Sequence, residues 1–187
     1  MGTTMLNDFW DANHDVQPHN IEKSSPQVWK PPSNNWLMMN TDAACFANGK
    51  TGLGCIIRDS IGSIVTANCK LLETTHDPLV AEALAFRWGL QVALNNGAQN
   101  LVAYTDSLSL VKSLQHGGAP SSIHLITQDC LDLLTTFQYF DVSHVRKVAN
   151  VPAHLLAKHS VVCQNDYWTM SVPNHILQAV MTDILNQ

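Results

Sequence analysis

The chain has 187 residues, which suits one globular domain with short tails. Apolar residues make up 45% of the sequence, enough for a sizeable core, but no run of about 18 apolar residues exists that would predict a membrane span. The formal charge is −5, and the ten lysines and arginines are dispersed, which argues against a tight, sequence-reading DNA-binding protein.

The cysteines and the N-terminus indicate the compartment. The five cysteines lack CxxC spacing, and the first residues lack the basic start and apolar stretch of a secretory signal. This pattern is typical of reduced core thiols and not of a disulfide framework or a zinc site. We therefore expect an intracellular protein, nuclear or cytoplasmic, that has no membrane partner.

The first half of the chain predicts a disordered N-terminal segment, called the lead below, followed by a β-meander. Residues 1–35 mix polar residues and proline with few aliphatics, which predicts a disordered lead and linker. Short apolar runs at Leu37–Ala44, Leu53–Arg58 and Ser63–Leu71 predict three strands separated by turns. The short connections favour antiparallel pairing of these strands.

The second half alternates helices and strands. A helix is predicted from Pro78 to Leu94, because proline is favoured at the first helical position and Asn95-Asn96-Gly97 stops the helix. The later elements are a strand at Leu101–Thr105, a helix ending at Leu114, a helix at Ile123–Phe137, a strand at Phe140–Val145 and a helix at Val151–Lys158.

This order predicts an α/β fold with a five-stranded mixed sheet flanked by helices. The first three strands pair antiparallel, and the fourth and fifth add in parallel through helical crossovers. We assign residues 36–163 to this domain. Residues 164–187 form a C-terminal tail with a candidate helix at His175–Leu185.

Three acids occupy positions that a fold would usually fill with other residues. Asp42 lies inside an apolar strand, and Glu82 borders the apolar stripe of its helix beside Phe86. Asp106 follows the fourth strand, at the end where α/β sheets place ligand sites. Burying an isolated carboxylate costs several kcal/mol, so a compensating group is expected.

Each acid also has an ordinary explanation. Asp42 could pair with Arg58, Glu82 could face water, and Asp106 could cap the next helix. If the fourth strand adds beside the first, however, all three carboxylates converge near one strand end. Oxygen ligands suit Mg²⁺ or Mn²⁺, and two such ions roughly 4 Å apart can activate water and stabilise the leaving oxygen of a phosphodiester.

Several stretches around these acids carry a family resemblance. The chain resembles the ribonuclease H-like superfamily, in particular the plant reverse-transcriptase-like domains related to retroelements (type 1 ribonuclease H). The matching stretches are Trp29-Lys30-Pro31-Pro32, Asn40-Thr41-Asp42-Ala43-Ala44, Gly52 to Gly62, Ala81-Glu82-Ala83, Thr105-Asp106-Ser107, His144-Val145-Arg146 and Asn150 to Lys158. Together they cover roughly residues 29–165.

The resemblance implies a metal-dependent endonuclease that hydrolyses the RNA strand of RNA–DNA hybrids with two Mg²⁺ or Mn²⁺ ions. It implies that Asp42 bridges both ions and that Glu82 and Asp106 hold the ion near the leaving group. Thr74, Thr75 and His76, ahead of the Glu82 helix, become candidates for contacts to nucleic-acid phosphate. An ordinary loop is the alternative for these three residues.

His154 departs from the family pattern, because it stands where the family has its fourth acid. Imidazole can ligate a divalent ion but adds no negative charge, and Mg²⁺ prefers oxygen. We therefore expect weakened, Mn²⁺-favouring activity, with His154 as a catalytic and metal-binding residue. The alternatives are a surface histidine with no metal role and a catalytically degenerate domain that binds nucleic acid or a protein.

Overall fold

The computed structural model describes residues 28–186, and a six-stranded mixed sheet lies at its centre. The strands are β1 (Leu37–Cys45), β2 (Thr51–Arg58), β3 (Ile64–Leu72), β4 (Asn100–Thr105), β5 (Tyr139–His144) and β6 (Asn165–Thr169). They lie in the order β5-β4-β1-β2-β3-β6. β1 to β3 pair antiparallel, β4 and β5 add in parallel beside β1, and β6 runs antiparallel to β3. The predicted α/β fold class is confirmed, with one more strand than the five predicted.

Helices cover both faces of the sheet. They are α1 (Pro78–Asn95), α2 (Leu108–His116), α3 (His124–Leu134), α4 (Val151–Cys163) and α5 (Asn174–Leu185), and a 3-10 turn at Lys147–Ala149 precedes α4. The larger core lies under α1, α2 and α3, and a smaller one lies under α4 and α5. Within residues 28–186, no helix has the length and apolar character needed to cross a bilayer.

The predicted N-terminal lead requires a correction. Residues 1–27, which carry most of it, lie outside the described residues. Trp29 is only 1% exposed, and its ring centre lies 3.8 Å from the guanidinium carbon of Arg58. The buried Trp29 side chain thus anchors its part of this polar segment to the domain, and the boundary at residue 35 stays a prediction.

The predicted C-terminal tail also differs from expectation. β6 extends the sheet along β3, and α5 packs on α4 and spans nearly the same residues as the predicted helix. β6 escaped prediction because most of its side chains are exposed, so the sequence Asn165–Thr169 carries no apolar alternation. Residues 165–185 thus extend the sheet and cover its second face.

Two glycines of β2 allow α4 to lie directly on the sheet. A Cβ atom on Gly52 or Gly54 would clash with the carbonyl oxygen of Ala157 or Ala153, both in α4. Glycine at these positions therefore permits a close approach of helix to strand. This approach holds the first turns of α4, including His154, beside β1 and β2.

We expect Gly54→Ala to destabilise the protein more than Gly89→Ala. A Cβ on Gly54 meets the backbone of α4 at Ala153, which costs about 1–3 kcal/mol. A Cβ on Gly89 meets the side chains of Thr41, Met39 and Cys55 and no backbone atom of a neighbouring element, and alanine restores about 1 kcal/mol of helix propensity in α1. Urea unfolding of both variants measures the difference. Equal losses of unfolding free energy in the two variants would show that the clash with the α4 backbone costs no more than the side-chain contacts at Gly89.

Candidate metal centre

The register of β1 and β4 places two of the predicted acids side by side. These strands pair in parallel through Thr41 and Thr105; Asp42 is the next residue of β1, and Asp106 directly follows the end of β4. Asp42 is 5% exposed, and Asp106 is partly buried. The strand pairing therefore delivers two carboxylates to the same edge of the sheet.

The third acid comes from α1. This helix begins with Asp77 as its N-cap, whose side chain accepts a hydrogen bond from the N–H of Leu79. Glu82 lies in the following turn, and its Oε1 accepts a 3.3 Å hydrogen bond from the N–H of Ala43. One oxygen each from Asp42, Glu82 and Asp106 lies within 4.8 Å of the other two. The structure thus brings the three predicted acids together.

The electrostatics of this cluster favour a bound cation. Burial, followed by the charges of Asp42 and Asp106, raises the pKa of Glu82 to about 10. Burial and the Asp42 charge also raise the pKa of Asp106, against the pull of Lys147. Glu82 Oε2 is buried and has no hydrogen-bond partner among the described residues. A divalent ion that takes oxygen ligands, such as Mg²⁺ or Mn²⁺, fits this donor set.

His154 contacts the acid cluster from α4. It lies in the first turn of α4, and its Nδ1 is 2.6 Å from Asp42 Oδ2. The carboxylate can only accept, so Nδ1 carries the hydrogen in this bond. The side chain is 46% exposed and faces the same clefts as the acids. His154 is thus a neighbour of the acids, and a metal-binding role for it stays a prediction.

Two asparagines fix α4 against β1. Asn150 donates from Nδ2 to the carbonyl oxygen of Thr41 at 2.9 Å, and its Oδ1 accepts from Asn40 Nδ2 at 3.1 Å. Both asparagine side chains are buried, so this clamp sets the spacing between Asp42 and His154. Sequence reasoning gave the pair no role, because a bond across 110 positions leaves no trace in local spacing.

Lys147 is a further residue that sequence reasoning missed. The acids line a cleft of 450 Å³, and a neighbouring cleft of 240 Å³ contains Asn150, Val151 and His154. Lys147 lines both clefts and is the one lysine or arginine among their lining residues. The scarcity of basic residues in the chain is the one sequence signal that sets Lys147 apart.

Two of the ordinary explanations for the acids do not hold. Arg58 does not pair with Asp42, since its Nη1 lies 2.9 Å from Oδ2 of Asp183 in α5. Asp106 does not cap α2, since the N-cap residue of that helix is Ser107. Both acids are therefore without the structural roles that would have explained them individually.

The predicted phosphate-contacting residues form the turn between β3 and α1. Thr51 Oγ1 donates to the carbonyl oxygen of Thr74 at 2.9 Å and lies 3.3 Å from His76 Nδ1. Thr74 and Thr75 are exposed. The carbonyl oxygen of His76 accepts from the thiol of Cys45, which lines the larger cleft. The turn thus borders the cleft, and its contact with nucleic acid stays a prediction.

Comparisons with known proteins identify the family of the chain. A family model described as reverse transcriptase-like matches residues 40–160. No protein of curated function matches the chain in sequence.

Solved structures of ribonucleases H share the fold. RNase H1 from Halobacterium salinarum has a TM-score of 0.64 and 21% identity, covering 68% of this chain and 98% of that protein. An N-terminal RNase H domain from Mycobacterium tuberculosis has a TM-score of 0.61 and 18% identity, covering 69% and 95%. LC11-RNase H1, isolated from compost and solved in complex with an RNA/DNA hybrid, has a TM-score of 0.60 and 17% identity, covering 66% and 94%. At these identities the likeness concerns the fold.

Proposed function

The chain belongs to the reverse transcriptase-like family, and on that premise we propose that it is a metal-dependent endonuclease that hydrolyses the RNA strand of RNA–DNA hybrids. The observation that carries this proposal is the gathering of Asp42, Glu82 and Asp106 within 4.8 Å at the end of β1 and β4. The complex of LC11-RNase H1 with an RNA/DNA hybrid supports the choice of substrate, because that protein has the same fold.

The three acids are the proposed ligands of Mg²⁺ or Mn²⁺. The raised pKa values of Glu82 and Asp106 and the unpartnered Glu82 Oε2 fit a cation between the three acids. When bound, such an ion stabilises charge on the scissile phosphate and lowers the pKa of the attacking water.

The protein holds these acids in place through short contacts. The N–H of Ala43 donates to Asp42 Oδ1 at 2.9 Å, and His154 donates to Asp42 Oδ2. His144 Nε2 lies 3.1 Å from the carbonyl oxygen of Asp106 and helps to fix the end of β4. Because these groups are already oriented, little reorganisation is needed when substrate arrives. The ammonium of Lys147, beside Asp106, adds an attraction for phosphate.

A second candidate function is a domain that binds nucleic acid or protein without cleaving it. The contact between His154 and Asp42 favours this candidate, because it occupies Asp42 Oδ2, an oxygen that would otherwise be free to bind the metal ion needed for cleavage. The net charge of −5 argues against strong hybrid binding, because few cations are available to contact phosphate, and within this second candidate it therefore favours a protein partner.

The test is cleavage of an end-labelled RNA–DNA hybrid. We expect the wild type to cut the RNA strand, with a rate in Mn²⁺ at least about 10-fold above that in Mg²⁺, because altered coordination costs about 10–100-fold in activity. Asp106→Asn should abolish the cleavage. Asp132→Asn is the matched control, since Asp132 is an exposed acid on α3 outside the cleft.

The outcomes separate the two candidates. Binding of the hybrid without cleavage in either metal would favour the non-catalytic domain. Cleavage that survives Asp106→Asn would contradict the proposed centre.

A further inference from the structure

The two clefts at the acid cluster differ in the oxygen ligands that they offer. On one side, Glu82 presents a buried Oε2 that lacks a hydrogen-bond partner among the described residues. On the other side, the neighbouring cleft is lined by Asp42 and Asp106 together with His154 and Lys147. The larger cleft therefore offers the Glu82 oxygen in addition to Asp42 and Asp106, whereas the smaller cleft lacks it, and His154 and Lys147 line both.

The bond between His154 and Asp42 constrains where an ion can bind. Asp42 Oδ2 already accepts the hydrogen on His154 Nδ1, at 2.6 Å. An ion shared by these two atoms would have to displace that hydrogen. The second ring nitrogen, Nε2, directs its lone pair away from Nδ1 and hence away from Asp42. An ion on Nε2 would not share Asp42 Oδ2 in this arrangement.

Charge balance agrees with this constraint. The three carboxylates carry three negative charges when ionised, and one divalent ion together with the ammonium of Lys147 balances them. Lys147 is close enough to Asp106 to lower the pKa of that carboxyl group. His154 adds no negative charge that would favour a second divalent ion.

We propose that the centre binds one divalent cation, in the cleft that Glu82 lines, and that His154 excludes a second ion. Lys147 supplies positive charge in place of that second ion. This inference rests on the proposed function and specifies its metal centre. It differs from the two-ion arrangement that the family resemblance implies.

The test counts Mn²⁺ ions by isothermal titration calorimetry on the full chain. We expect one equivalent for the wild type and two for His154→Asp, because the new carboxylate adds an oxygen ligand and a negative charge. The second ion should bind His154→Asp at least about 10-fold more tightly than it binds the wild type. His124→Asp is the matched control, since His124 is exposed at the start of α3 and the substitution changes charge equally.

Two further measurements keep the test decisive. Circular dichroism checks folding, and His154→Asn replaces the imidazole without adding charge if His154→Asp does not fold. We expect a second, weaker ion in His154→Asn. In cleavage assays, the Hill coefficient for Mn²⁺ should be about one for the wild type and higher for His154→Asp.

Each contrary result has a distinct meaning. Two equivalents in the wild type would overturn the one-ion centre and leave the proposed nuclease function intact. A single equivalent in both His154→Asp and His154→Asn would show that His154 is not what excludes the second ion. Failure of the wild type to bind Mn²⁺ and to cut the hybrid would overturn both proposals.

Discussion

We expect Asp42→Asn to lose Mn²⁺ binding and hybrid cleavage while the metal-free protein keeps or gains thermal stability. Substitution of groups behind a metal ligand typically costs about 10–100-fold in affinity or activity, so the loss of a ligand carboxylate should exceed about 100-fold. Asp42 is the acid to change, because it lies between the other two acids and His154.

The expected stability follows from the repulsion within the cluster. Asp42 is 5% exposed, and its charge raises the pKa of both Glu82 and Asp106. Asparagine has nearly the same shape and keeps an oxygen that can accept from the N–H of Ala43 or from His154. Removal of the charge relieves the repulsion, and a gain of about 1 kcal/mol would raise Tm by about 2–4 °C in a chain of this size.

Calorimetry with Mn²⁺ and thermal unfolding in EDTA measure the two effects separately. Asp132→Asn again serves as the control and should change neither. Retained Mn²⁺ binding would show that Asp42 is not a ligand. A lower Tm in EDTA would mean that Asp42 acts in folding, and loss of activity would then say nothing about metal.

The acid cluster was predictable because each of its residues violates a local rule. Asp42 interrupts an apolar strand, and the strand–helix–strand order predicts that β4 runs parallel to β1 if it adds beside that strand, as it does in the structure. Once that pairing is fixed, Asp106 must lie beside Asp42, and the crossover helix α1 must bring Glu82 over the same edge. The convergence of the three carboxylates was thus predictable on the condition that β4 lies beside β1, and the structure supplies that pairing.

Other parts of the site depend on contacts that sequence patterns do not encode. Whether His154 meets Asp42 or faces solvent depends on how closely α4 approaches β2 at Gly52 and Gly54. Lys147 reaches the clefts because the 3-10 turn before α4 places it there, and a lone lysine in a loop carries no periodic signal. These residues required the three-dimensional structure.

The same limit applies to the buried ion pair between β2 and α5. Arg58 has no exposed side-chain surface, and its Nη1 lies 2.9 Å from Asp183 Oδ2. Trp29 covers the guanidinium, while Nε and Nη2 have no hydrogen-bond partners within the described part of the chain. Burial lowers the pKa of Arg58 to about 10 and raises the pKa of Asp183, so desolvation dominates the balance for both groups.

We expect Asp183→Asn to destabilise the protein by about 3–5 kcal/mol, because it leaves the Arg58 charge buried without a counter-charge. For a chain of this size that loss lowers Tm by roughly 10 °C. Urea unfolding and differential scanning fluorimetry measure the two quantities. Asp132→Asn, which removes an exposed carboxylate, should change stability by less than about 0.5 kcal/mol.

The double substitution Arg58→Met with Asp183→Leu should recover most of the loss, because an apolar pair of similar volume removes both desolvation penalties. A double variant less stable than Asp183→Asn would show that the ion pair itself stabilises the fold. Hybrid cleavage should survive in the double variant, since neither residue lines the cleft that holds the acids. If Asp183→Asn keeps the stability of the wild type, the buried Arg58 charge does not depend on Asp183 for its compensation.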